Sequence, residues 1–225
     1  MFAIANVPVV LVYLFVLFLL FCSLVMFLCF VPYVQVQDNG DSFQAFVEDL
    51  RQWRQWLPQT QPYALCLAVD MLCVSTFSPG VMLYIFPKGS LVNMLGMKMK
   101  TDVFFALYNA CTFMGEIVSR SLAYKDQNIR SPYVFLIFSF LGVSINLIFS
   151  KIWWIPSMFP LAGFLIFFAN GSIYNRACRS IDNNVPKSFN LTALSFWLFL
   201  GDTGSVTGAN VMQYLKQWMV GTISC

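Results

Sequence analysis

The chain contains no histidine in its 225 residues. Imidazole, the side chain that changes charge near neutral pH and the commonest metal ligand, is therefore missing, and His-based catalysis within the chain is excluded. Charge is scarce as well. Only 10% of residues are Asp, Glu, Lys or Arg, against about 25% in an ordinary soluble domain. The net charge of +3 is small and scattered along the chain, which argues against a nucleic-acid partner. The seven cysteines, at positions 22, 29, 66, 73, 111, 178 and 225, form no CxxC pair and stand mostly in apolar runs, where a thiol behaves as a small hydrophobe. Metal-ligand spacing, a glycine-rich phosphate loop and a nucleophile elbow are also lacking. Neither a metal nor a cofactor is expected, and the chain does not read as an enzyme.

What the chain has is apolar surface. It is 59% hydrophobic and carries 24 Phe, a balance that belongs to membrane proteins. The run "VPVVLVYLFVLFLLFCSLVMFLCFV" from Val7 to Val31 has no charge, and about 20 such residues cross a bilayer. It is longer than the apolar core of a signal peptide and has no basic residue before it, so it reads as a true span. Five more candidate spans follow: Tyr63–Phe86 with Asp70 inside it, Val103–Ala123, the uncharged Tyr133–Phe149 and Ile155–Tyr174, and Leu191–Tyr214 with Asp202 inside it. The expected fold is an all-α polytopic membrane protein of about six transmembrane helices, since lipid leaves backbone groups no partner outside the helix. It divides into a first helix over 1–33, a cytosolic link over 34–62 and a five-helix bundle over 63–225.

The link "VQVQDNGDSFQAFVEDLRQWRQWLPQTQP" has its own texture. Phe43, Phe46, Leu50, Trp53 and Leu57 follow Ser42 at near-helical spacing, and Asp41 or Ser42 can cap them. The spacing predicts an amphipathic helix on the membrane surface, with Trp53 and Trp56 at the headgroups; a solvated linker is the alternative. Links one, three and five hold Arg51, Arg54, Lys125, Arg130, Arg176, Arg179 and Lys187, against Lys88, Lys98, Lys100, Lys151 and Lys216 on the other side. The excess places the first link in the cytosol and both termini opposite.

Ionisable groups at membrane depth usually face a bundle interior or a wet path. Glu116 and Arg120 stand four residues apart, and Asn109 and Thr112 precede them on the same helical face. This polar stripe is the first candidate site: Asn109, Thr112 and Glu116 as solute ligands, with Arg120 orienting the acid or helping a gate. On the plainer alternative, Arg120 snorkels to the cytosolic edge and Glu116 only pairs with it. Pro79 and Gly80 in "STFSPGV" break the second span, as in helices that flex in transporters. Asp70 lies two to three turns before that break. Asn170 in "FFANGSIY" adds a further solute ligand. Asp202 sits in "LGDTGSVTG", among the small residues Gly201, Gly204, Ser205 and Gly208 of a close-packing face.

At these residues the chain resembles the C-terminal half of an equilibrative nucleoside transporter, spans six to eleven of a major-facilitator-type fold. "TFSPGVM" (Thr76–Met82), "FFANGSIY" (Phe167–Tyr174) and "FWLFLGDTGSV" (Phe196–Val206) are similar to segments of that family's spans seven, ten and eleven. The family's span eight carries Asn-x-x-Asp-x-x-Gly-Arg. "NACTFMGE" keeps Asn109 and Gly115 but has Thr112 and Glu116 at the acid and the base, while "EIVSR" supplies an acid and an arginine as Glu116 and Arg120. A weaker resemblance is to the battenin family, lysosomal membrane proteins, through "VSRS" (Val118–Ser121), "INLIF" (Ile145–Phe149) and Pro156–Ser157. The first resemblance implies a nucleoside or nucleobase as the small-molecule partner, moved by alternating access across a bilayer, the plasma membrane rather than the lysosome or vacuole. Arg120 and Asp202 would serve a gate. Six helices are half of that fold, so a missing N-terminal half or a second copy is an expected partner. The contrasting expectation is a non-transporting membrane adaptor that acts through residues 34–62.

Overall fold

The computed structural model describes residues 9–30, 42–78, 86, 89–125, 131–151 and 155–220. The chain divides into a first unit ending at Ala45 and a second from Phe46 onward. The first unit holds helix α1, Val9–Phe30. Apolar residues surround α1 on every side, and over Tyr13–Phe30 its mean hydropathy is 2.8. No face is distinguished, which is the pattern of a helix with apolar surroundings all round.

Helix α2, Ser42–Arg51, joins the two units and ends one residue before α3, Trp53–Thr76. A β-hairpin follows, β1 Leu91–Met94 and β2 Met97–Lys100. The bundle is completed by α4 (Thr101–Lys125), α5 (Tyr133–Lys151), α6 (Met158–Asn184) and α7 (Asn190–Val220), the last entered through a 3-10 turn at Lys187–Phe189. The described residues are mostly helical, as the composition implied. By length and composition two helices can cross a membrane, α1 over Tyr13–Phe30 and α6; α5 is apolar over the shorter stretch Tyr133–Phe149.

Three differences from the sequence-based expectation have physical causes. The first lies in the link. Helix α3, expected from Tyr63, begins at Trp53 and runs through Pro58 and Pro62; residues 79–85 of the expected span lie outside the described residues. Trp56 does not face outward. It is buried, its Nε1 donates to the Asp49 carbonyl at 3.0 Å, and its ring meets Phe196 edge-on at 5.5 Å. Only Trp53 is exposed, with Arg54 over its ring. Packing against α7 therefore overrides two prolines that locally disfavour a helix. Second, the hairpin lies within an otherwise helical chain. Leu91 to Met94 pair antiparallel with Met97 to Lys100, and the turn residues Leu95 and Gly96 have φ of 51° and 87°, the positive values that a tight I′ turn needs. Third, α6 continues ten residues past Tyr174, so Arg176 and Arg179 belong to a helix and not to a loop.

Two parallel pairings build the bundle: α3 packs along α7, and α4 along α6, with α5 against α6 and α3. Small residues permit the close approach. A Cβ on Gly204 of α7 would lie 2.1 Å from the Ala68 carbonyl oxygen of α3, and one on Gly115 of α4 would lie 2.4 Å from the Phe164 carbonyl oxygen of α6. Each contact is backbone against backbone, so no side chain can move aside. Beside the first, Ser75 and Ser205 share a hydrogen bond at 2.7 Å. One core cluster gathers Trp56, Leu67, Phe135, Ile173 and Trp197, and a second gathers Phe77, Phe104, Tyr108, Phe159 and Ile166.

The substitution Gly204→Ala is expected to destabilise the protein by about 1–3 kcal/mol, the range for overpacking a filled interface. Thr203→Ala, one residue away and exposed, should change stability by less than about 0.5 kcal/mol. Thermal unfolding in detergent compares the two; equal midpoints would contradict the close α3–α7 contact.

Candidate solute site

The polar centre of the bundle is Asp70. It stands in the C-terminal half of α3 and is fully buried. Two other helices satisfy its carboxylate. Ser139 of α5 donates its hydroxyl to Oδ1, and the Asn170 side-chain amide of α6 donates to Oδ2 at 2.8 Å. Asn170 also approaches the Met71 sulfur at 3.4 Å. Among the described residues no lysine or arginine forms an ion pair with Asp70. A buried carboxylate costs several kcal/mol to desolvate, and two hydrogen bonds to a charged group return about 1.5–3 kcal/mol each. The triad thus roughly balances. It adds little net stability, so stability alone gives no reason for an acid at this depth.

The four stripe residues of α4 part company. Thr112 turns inward, is buried, and donates to the Asn109 carbonyl at 2.8 Å. Asn109 is exposed. Glu116 and Arg120 form the expected ion pair across one helical turn, with side-chain exposures of 30% and 55%. Asp202 and Thr203 of α7 are exposed too. The structure therefore joins Asn170 to Asp70, by a direct bond, and not to Thr112 or Glu116. Of the four expected solute ligands, the structure places Asn170 in one group, a buried triad, and Asn109 and Glu116, with Arg120, in another, an outward polar surface; Thr112 is buried within α4. Pro79 and Gly80 lie outside the described residues.

The two groups are linked through α6. Tyr174 stands one turn beyond Asn170, and its hydroxyl is within electrostatic reach of Asp70, Asp202 and Arg120. Its ring rests edge-on against Trp197 at 4.9 Å. Arg120, Tyr174, Asn175 and Cys178 line an open cavity of about 280 Å³, and Asn175 donates to the Arg120 carbonyl at 3.4 Å. A cavity with Arg120 at its wall thus reaches Tyr174, one turn beyond Asn170 on α6.

Two polar residues escaped the sequence reasoning. Ser139 is the partner that reaches Asp70 from α5. Asn146 lies seven residues later on the same helical face, is buried, and its amide has no partner among the described residues. That spacing, two polar residues seven apart in an uncharged span, was the available signal.

Removing the carboxylate should leave two buried donors unmet. Asp70→Ala and Asn170→Ala are each expected to cost about 1–3 kcal/mol, and the double variant less than the sum, with a coupling of at least about 0.5 kcal/mol. Strict additivity in a thermal double-mutant cycle would contradict the bond between them. Comparison with protein-family models, with curated proteins and with solved structures finds no match.

Proposed function

We propose that this chain is a polytopic membrane solute carrier that moves a small polar solute, a nucleoside or nucleobase, by alternating access. The observation that carries this reading is Asp70, wholly buried and held, among the described residues, by the neutral groups of Ser139 and Asn170, in a chain whose other long apolar segments suit a bilayer. Ionisable groups kept at such depth without a stability return are characteristic of solute and ion paths. The nucleoside assignment is supported by the sequence resemblance and by the chemistry of the groups: carboxylates and amides pair with the hydroxyl and amine groups of such solutes.

On this reading the exposed stripe has a function. The Glu116–Arg120 pair, Asn109 and Asp202 are ill suited to lipid, where each charge at mid-depth costs about 2.5–3.5 kcal/mol. A surface i,i+4 pair returns only about 0.3–0.5 kcal/mol. The stripe is better covered by a second helical bundle, an N-terminal half or a second copy, with the solute path between them. Rocking of the two bundles about that path moves the solute, and Arg120 and Asp202 act at its edge. The multi-pass placement in the plasma membrane belongs to the same proposal.

Uptake of radiolabelled adenosine and hypoxanthine into proteoliposomes tests it. Wild-type protein should show saturable uptake. Asp70→Asn and Glu116→Gln should each reduce it about 10-fold or more, the equivalent of one charge-assisted hydrogen bond. Folded wild-type protein that moves neither compound would refute the nucleoside assignment. Undiminished uptake by Asp70→Asn would remove the triad from the mechanism.

A further inference from the structure

The open cavity beside Arg120 and the surroundings of the buried Asp70 share one residue, Tyr174. Its side chain lines the cavity together with Arg120, Asn175 and Cys178. Its hydroxyl is also within electrostatic reach of Asp70, and of Asp202 on α7. Asn170, which donates to Asp70, stands four residues earlier on α6, so the two side chains are neighbours on one helical face. Exposure falls along that face. Cys178 is exposed, Tyr174 is half-buried, and Asn170 is buried against an Asp70 with no exposed surface.

The ring is suited to closing this descent. It packs against the first core cluster and lies edge-on to Trp197 at 4.9 Å. A tyrosine so placed has an apolar body that fits the core and a polar tip that tolerates water. The two χ1 positions common in a helix differ by a large swing of the ring. The open cavity that Tyr174 lines, of about 280 Å³, is where a displaced ring can go.

We propose that Tyr174 is the inner gate of the solute path. Packed on Trp197, it separates the open cavity from Asp70; turned away, it lets a small polar solute descend along α6 to Asn170 and Asp70. The inference deepens the solute-carrier reading and rests on it, but it concerns access to Asp70 and does not depend on which solute is carried.

Two native thiols report that access. Cys66 and Cys73 stand four residues before and three after Asp70. Both are buried and lie within electrostatic reach of its carboxylate. Cys178, on the cavity wall, is the reference thiol. The test uses the full chain with Cys22, Cys29, Cys111 and Cys225 changed to Ser, in proteoliposomes with a charged methanethiosulfonate on both faces. Relative to Cys178, Cys66 and Cys73 should react about 10-fold or more faster in Tyr174→Ala, because modification of a buried group follows the population of the open form. Tyr174→Phe keeps the ring and should stay within about 2-fold of the parent chain. The control, Phe168→Ala, truncates another half-buried aromatic of α6, which lies edge-on to Phe138 at 5.2 Å and lines a separate cavity between α4, α5 and α6. It should leave both thiols slow. Thiols that stay slow in Tyr174→Ala overturn the gate. So does equal acceleration by Phe168→Ala, which would mean a general loosening of the bundle. Uptake by the same liposomes separates the two levels. Fast thiols in Tyr174→Ala, with neither adenosine nor hypoxanthine carried by the parent chain, support the gate and refute the nucleoside assignment. Uptake by the parent chain with thiols that stay slow in Tyr174→Ala refutes the gate alone.

Discussion

A carboxylate sealed inside an apolar bundle must be met by donors, and here three helices converge to supply that need. Asp70 of α3 takes hydrogen bonds from Ser139 of α5 and Asn170 of α6. The bonds are directional, so they set the rotation of α5 and α6 about their axes relative to α3. Apolar contacts alone do this poorly, because leucine and phenylalanine faces slide with little penalty. The same rotation carries Tyr174 toward Trp197, and turns Arg176 over Phe135. The two cavities beside α6 thus both depend on its orientation.

Close helix approach is the second constraint. Gly204 and Gly115 bring α7 onto α3 and α4 onto α6 at distances that no Cβ would permit. Such backbone contacts and short polar bonds hold the paired helices together. The Ser75–Ser205 bond is one of them. The outward charges have a contrasting character. Glu116 and Arg120 satisfy each other within one helix.

Much of the architecture was legible in the sequence. Helices α1, α4, α5 and α7 largely coincide with their apolar runs, because a mostly apolar run of that length has few alternatives. The Glu116–Arg120 pair was legible for a similar reason: an i,i+4 spacing is a local property of one helix. The hairpin at Leu91–Lys100 was not, since its strands are only four residues long and its turn places a leucine at positive φ. The early start of α3 was hidden by Pro58 and Pro62, which argue locally against the helix that tertiary packing selects.

By itself the sequence determined the helical class, the apolar character and the candidate polar residues, including Asp70, Asn170 and the stripe of α4. Each of these follows from composition or from spacing within one segment. Only the tertiary structure decided which polar residues meet. It joined Asp70 to Asn170 across a hundred residues, buried Thr112 while leaving Asn109 exposed, and moved Trp56 and Arg176 from a presumed surface to the interior. The reason is physical: periodicity tells which side of a helix a residue occupies, but partner choice between helices depends on rotation and depth, and these emerge only when all the faces pack at once.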